Sequence, residues 1–208
     1  MKKITIVDYG SGNVLSAQKS FVKIAKDNNI EVDVLISKKL NDVKNSTHIV
    51  LPGQGAFSTC MNGLKKTDGL IDELSEFALI KKRPFLGICV GMQMLAKMSE
   101  ENGDHEGLGW IDGQIKLLPG DNLKLPHMGW NLATPKKSKY NNLISNKNDY
   151  YFVHSYYFDC ANKDNILAET KYGTNFASIV GKENIYLSLI HISEPTRRYA
   201  ISYAVFCL

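Results

Sequence analysis

The chain has 208 residues, 44% of them hydrophobic and 22% charged, and a net charge of +4. That size and balance fit one large folded domain and exclude intrinsic disorder, collagen-like repeats and, since no run approaches roughly 18 apolar residues, a bundle of membrane spans. The slight basic excess is scattered (Lys38-Lys39, Lys65-Lys66, Lys81-Lys82, Lys136-Lys137) with no interleaved aromatics, and leaves no footprint for nucleic acid.

The N-terminal stretch Met1-Lys2-Lys3-Ile4-Thr5-Ile6-Val7-Asp8 has too short an apolar core for a secretory signal, which predicts a cytoplasmic protein. Cys60, Cys89, Cys160 and Cys207 lie far apart with no CxxC pair, so neither a zinc site nor a disulfide framework is expected. Ile4–Val7 reads as a strand and the turn Tyr9-Gly10-Ser11-Gly12-Asn13 follows. Val14, Leu15, Ala17, Phe21, Val22, Ile24 and Ala25 then recur at helical spacing. Strands are predicted over Val32–Ile36 and Thr47–Leu51, the latter running into Pro52-Gly53-Gln54-Gly55. A helix is expected over Gly69–Ile80, then a strand over Pro84–Cys89 and a helix over Met92–Met98. Strands alternating with helices predict a parallel α/β sheet. Trp110–Leu118, Tyr150–Phe158, Ile166–Thr170 and Ala177–Val180 are strand-like and predict an antiparallel extension of the same sheet.

The segment Gly87-Ile88-Cys89-Val90-Gly91 carries the strongest chemical signal. A nucleophile on a sharp strand-to-helix turn is strained, and glycines two residues to either side relieve the crowding. The turn lifts the Cys89 thiol above the sheet edge at a helix N-terminus, where the dipole and free amides favour the thiolate and aim at a developing oxyanion. The turn Pro52-Gly53-Gln54-Gly55-Ala56 lies at the same carboxyl edge, so its amides can converge on the elbow. No phosphate-binding Gly-rich motif is present.

Gly87-Ile88-Cys89-Val90-Gly91-Met92-Gln93 resembles the nucleophile motif of class I (triad) glutamine amidotransferases. Four more segments resemble the branch formed by glutaminase subunits of imidazole glycerol phosphate synthases: Asp8-Tyr9-Gly10-Ser11-Gly12-Asn13, Pro52-Gly53-Gln54-Gly55-Ala56-Phe57, Pro126-His127-Met128-Gly129-Trp130-Asn131 and Tyr151-Phe152-Val153-His154-Ser155-Tyr156-Tyr157. The resemblance implies a flavodoxin-like α/β fold over residues 1–186 and a glutaminase in which Cys89 forms a γ-glutamyl thioester and releases ammonia. It places the oxyanion and substrate-binding groups at Gly53, Gln54, Gly55, Val90 and Gln93. It also implies a partner, a (β/α)8 cyclase subunit that uses the channelled ammonia to make imidazole glycerol phosphate and AICAR for histidine. The contact with that partner falls at His127, Met128, Trp130, Asn131 and Tyr156, and the glutaminase stays quiet until the cyclase binds its substrate. No metal or organic cofactor is implied.

From the residues alone, His127 or His154 can serve as base to Cys89; the resemblance assigns His127 to the interface instead. His48 and His105 read as surface residues, and Cys60 and Cys160 as packing. The family carries its base and orienting carboxylate in a Gly-x-Gln-Phe-His-Pro-Glu-Lys-Ser stretch directly after the segment like Asn184-Ile185-Tyr186. Here the chain continues Leu187-Ser188-Leu189-Ile190-His191-Ile192-Ser193-Glu194-Pro195. His191 is in register, Ser193 stands at the carboxylate position, and Glu194 falls one residue late, on the opposite face of an extended chain. Composition breaks at the same point: the last lysine is Lys182, and residues 187–208 hold no Lys, Asn, Asp or Gly. Residues 187–208 therefore resemble read-through sequence more than the family's amphipathic terminal helix. The expected catalytic set is Cys89, His191 and Glu194. The rivals are another class I amidotransferase, a binding subunit that has lost turnover, and a cysteine hydrolase of other substrates.

Overall fold

The computed structural model describes residues 1–120, 123–138 and 148–190. Strand β1 (Lys2–Val7) leads into helix α1 (Val14–Asp27); β2 (Val32–Ser37), α2 (Leu40–Lys44), β3 (His48–Gly53), α3 (Phe57–Lys65) and α4 (Leu70–Ser75) follow. β4 (Phe85–Cys89) turns directly into the single-turn α5 (Val90–Gln93). The rest is strands: β5 (Met98–Ser99), β6 (His105–Glu106), β7 (Gly113–Leu117), β8 (His127–Pro135), β9 (Asn148–His154), β10 (Tyr156–Cys160), β11 (Ile166–Tyr172), β12 (Thr174–Lys182) and β13 (Ile185–Ser188).

The sheet runs β2-β1-β3-β4-β13-β12-β10-β7-β5-β6. Its first five strands are parallel, and from β12 to β7 the pairings are antiparallel. β12 also pairs with β11, which continues through β8 to β9 as a second leaf. This is the expected parallel α/β sheet with an antiparallel extension. Ile4, Ile6 and Val7 of β1 and Ile49, Val50 and Leu51 of β3 are fully buried, as continuous apolar runs in two-sided parallel strands should be. α1 starts where Asn13 accepts the Ser16 amide at 3.1 Å, a cap worth about 1 kcal/mol, and turns Ala17, Phe21, Ile24 and Ala25 inward.

β13 completes the parallel set between β4 and β12, and a side chain fixes its register. Asn184, in the turn before it, donates to the carbonyls of Ala78 at 2.9 Å and Arg83 at 2.7 Å. Leu187 and Ser188 then lie opposite Gly87 and Ile88, and the chain leaves the sheet beside Cys89. No described helix is long and apolar enough to cross a membrane.

Two expectations are corrected. The helix expected over Met92–Met98 stops at Gln93, because amides of the loop after β6 take its carbonyls: Leu108 bonds Met94 at 2.7 Å and Gly109 bonds Ala96 at 3.0 Å. Tyr150–Phe158 is two strands, broken at Ser155, whose carbonyl accepts the Leu118 amide at 2.9 Å; β9 serves the second leaf and β10 the main sheet. The helix expected over Gly69–Ile80 is present, as α4 continued by a π-helical turn at Glu76–Ile80. The helices α2 and α3 and strand β8 were not foreseen. β8 escapes the usual pattern because its outward residues, Met128, Trp130 and Leu132, are apolar while His127 is buried.

Candidate active site

Cys89 ends β4 with φ 55° and ψ −119°, a left-handed conformation costly for a residue with a Cβ and characteristic of functional turns. The elbow closes because its neighbours lack side chains. A Cβ on Gly91 would overlap the Leu51 carbonyl oxygen, one on Gly53 would overlap the Gly91 nitrogen, and one on Gly87 would stand 2.8 Å from the Gly91 oxygen. The first turn of α5 therefore rests backbone on backbone against the end of β3, and the Gly53 turn is held against the nucleophile. Gly91→Ala must push these two backbones apart, which costs about 3 kcal/mol. Calorimetry should show the melting temperature lower by roughly 5–10 °C; an unchanged value would remove the elbow from β3.

The turn after β3 is gripped from the opposite side. Tyr9 donates its hydroxyl to the Pro52 carbonyl at 2.6 Å, and Ser11 donates to the Gln54 carbonyl at 2.7 Å. Cys60 lies 3.1 Å from the Ser11 hydroxyl and 3.5 Å from the Gln54 carbonyl. Across a trans peptide the N–H points opposite to the C=O, so the amides of Gly53 and Gly55 face away from Tyr9 and Ser11. Burial holds the Tyr9 phenol far above its ordinary range, so it stays a donor. Glu101 accepts the Phe57 amide at 2.7 Å and caps α3 just beyond this turn. These clamps, and the Asn184 lock, were not assigned by sequence reasoning. The motif Asp8–Asn13 marked the Tyr9 and Ser11 region without a role, whereas nothing local marks Glu101.

Between these parts lies a small crevice open to solvent, lined by Asn13, Ala17, Pro52, Gly53, Gln54, Ile88 and Cys89. Cys89 is half-buried. Desolvation pushes its thiol up to about 11; the neighbouring Val90 amide pulls the other way, and Cys60 and the Glu101 charge add to the rise. The expectation of a favoured thiolate is thus corrected: α5 has only four residues, its dipole is slight, and burial outweighs it. A base is needed.

The end of β3 brings Gly53 opposite Cys89 and against Val90, Gln54 lines the crevice with the thiol, and Gly55 follows in the same turn. Gln93 lies one turn from Cys89 with its carboxamide nitrogen 3.3 Å from the Tyr156 carbonyl. His127 and His154 bond to each other at 3.1 Å and belong to the second leaf rather than to the thiol. Met128, Trp130 and Leu132 form an outward apolar ladder, 62%, 56% and 39% exposed; Tyr156 is outside it, opening β10. His191 and Glu194 lie outside the described residues, as does Cys207. His48 is half-buried, its ring nitrogen 2.8 Å from the Thr47 hydroxyl.

The family model described as glutamine amidotransferase class-I matches residues 5–189. The chain belongs to the class I glutamine amidotransferases. Among relatives of this amidotransferase, the imidazole glycerol phosphate synthase subunit HisH of Pelagibacter ubique is 44% identical over 191 residues, covering 90% of each chain. The subunit of the same name from Rhodospirillum rubrum is 40% identical over 193 residues, covering 91% of this chain and 90% of its own. In fold, the amidotransferase is similar to a crystal structure described as a glutamine amidotransferase, with TM-score 0.70 and 15% identity, covering 98% and 96% of the two chains. A glutamine amidotransferase of Thermotoga maritima gives TM-score 0.58 at 17% identity, covering 97% and 82%.

Proposed function

We propose that this chain is the glutaminase subunit of an imidazole glycerol phosphate synthase. Supporting it above all is Cys89, held on a strained elbow at the start of α5 with the Gly53 turn packed alongside. Cys89 Sγ attacks the side-chain carbonyl of glutamine. The tetrahedral oxyanion takes hydrogen bonds from Val90 and the Gly53–Gly55 turn, and one such donor is worth about 3 kcal/mol. Collapse expels ammonia and leaves a γ-glutamyl thioester. Water hydrolyses it to glutamate and restores the thiol. Gln93 holds the substrate, His191 moves the protons between thiol, leaving nitrogen and water, and Glu194, one residue late in the chain, orients His191 only weakly. Residues 1–186 make up the amidotransferase domain, and 187–208 form an atypical tail that replaces the family's C-terminus.

The β8 ladder supports the second half of the reading. Three outward apolar side chains on alternate residues are unusual on a solvent-facing strand and suit a protein partner. That partner is the cyclase subunit, which consumes the ammonia, and the pair works in the cytoplasm. The test is ammonia release from glutamine by the full chain, with and without the cyclase and its nucleotide substrate. Release that rises at least tenfold in the complex supports the reading; release indifferent to the cyclase overturns it. Trp130→Ala should weaken the complex about tenfold to thirtyfold in calorimetric titration, the cost of truncating an aromatic anchor. Unchanged affinity would move the contact off β8.

A further inference from the structure

The inward side of β8 carries a different message from its ladder. His127 and Asn131, four residues apart on the inner face, approach at 3.2 Å between Asn131 Nδ2 and His127 Nε2. His127 Nδ1 meets His154 Nε2 at 3.1 Å across the β8–β9 pair. His154 Nδ1 meets the Tyr156 carbonyl at 3.0 Å, and that same carbonyl receives Gln93 Nε2 at 3.3 Å. One unbroken file of polar contacts thus runs from the back of the ladder to the elbow helix. It is sleeved in rings: His127 stacks on Tyr172 at 4.1 Å and Phe152 at 5.1 Å, and His154 meets Phe176 at 4.8 Å.

Both ends fix the direction of every bond in the file. The Tyr156 carbonyl only accepts, so His154 Nδ1 carries a hydrogen. At the far end Asn131 Oδ1 accepts the Leu132 amide at 2.8 Å and Nδ2 donates to the Lys171 carbonyl at 2.9 Å. The second Nδ2 hydrogen is therefore aimed at His127 Nε2, which must accept. One hydrogen remains for the contact between the rings. If it sits on His127 Nδ1, both imidazoles are neutral; the other placement would require an imidazolium beside an imidazolate. Burial agrees, lowering the basicity of both rings.

The geometry points to His127 and His154 as positioning residues, a one-way relay that holds the Tyr156 carbonyl, through it the Gln93 carboxamide, and so transmits the seating of β8 to the elbow. The relay rests on the reading of β8 as the docking face and of Gln93 as a holder of glutamine. Protonating either ring, or drawing Asn131 away, sets hydrogen against hydrogen or frees the tautomer, and Gln93 loses its fixed anchor.

Nitrogen-15 NMR of the full chain tests this directly. Both imidazoles should be neutral Nδ1–H tautomers at pH 7. The Gln93 side-chain amide resonance, assigned by its loss in Gln93→Ala, should move in His127→Leu and return in His127→Asn, whose amide nitrogen stands close to the place of Nδ1. A protonated ring, an Nε2–H tautomer, or a Gln93 resonance indifferent to His127→Leu overturns the relay. Should His127→Leu lose the dispersed spectrum of a folded chain, Asn131→Leu puts the same question from the half-exposed end. In the cyclase complex, His127→Leu should raise KM for glutamine about tenfold with kcat within about threefold, and His127→Asn should restore it. If the resonance responds and KM does not, the relay stands and the role of Gln93 falls. If no complex forms, transmission from β8 falls, and the tautomers still decide the rest.

Discussion

In complex with the cyclase, Cys89→Ala is expected to release ammonia from glutamine at less than about one thousandth of the rate of the unaltered chain, the usual scale for losing a nucleophile. Hydrogen-bond donors alone polarise the amide but cannot form the thioester. The state of the thiol gives a second readout on the chain without its partner. With burial holding it at about 11, only about one molecule in several thousand carries a thiolate near pH 7.5. Iodoacetamide alkylation of Cys89, followed by peptide mass spectrometry, should then climb about tenfold per pH unit up to roughly pH 11. The stability linkage has the matching sign. A thiol raised in the folded state opposes folding only once pH exceeds the unfolded value, so Cys89 has no effect on stability at neutral pH and destabilises under alkali. A plateau in alkylation below pH 8 would mean that a base or cation already activates the thiol in the resting chain.

The second large effect is a gain. Ile192→Pro combined with Ser193→Glu restores the His-Pro-Glu run and should raise kcat/KM for glutamine in the complex by about a hundredfold or more. An orienting carboxylate holds a catalytic histidine in the right tautomer, and losing one costs about ten-thousandfold in a well-studied triad. The strand geometry gives the reason this position matters. β13 runs parallel to β4 with Ser188 opposite Ile88, so the chain that follows leaves the sheet beside Cys89. One residue of offset in an extended segment turns a carboxylate to the opposite face. If the double substitution leaves kcat/KM unchanged while the complex forms normally, Glu194 already orients His191, or another group supplies the base.

The nucleophile was legible because its requirements are local. Gly87, Cys89 and Gly91 within five residues, after an apolar strand, state both the strain and its relief. The parallel half of the sheet was legible for the same reason, each strand being a short apolar run. Position in the sheet was not. Nothing near Ile185–Ser188 shows that this strand enters between β4 and β12; the side chain that sets it, Asn184, bonds carbonyls about a hundred residues away. The clamp of Glu101 on Phe57 is hidden likewise by 44 residues of separation. His127 and His154 were visible as unusual histidines, yet their bond depends on pairing β8 with β9, and their neutrality depends on groups at both ends of the file. The thiol was misjudged because a helix dipole is read from sequence more easily than the depth of burial opposing it.

The place of β13 also bears on how the molecule is made. Among the described strands it is the last to leave the ribosome, and it fills the gap between β4 and β12. Until it emerges, the nascent chain holds two partial sheets, each with an open border of unpaired backbone groups and apolar side chains, the kind of surface that recruits other chains. The amino-terminal layers can collapse early. Joining them to the antiparallel half must wait for β13, and until then both borders stay exposed.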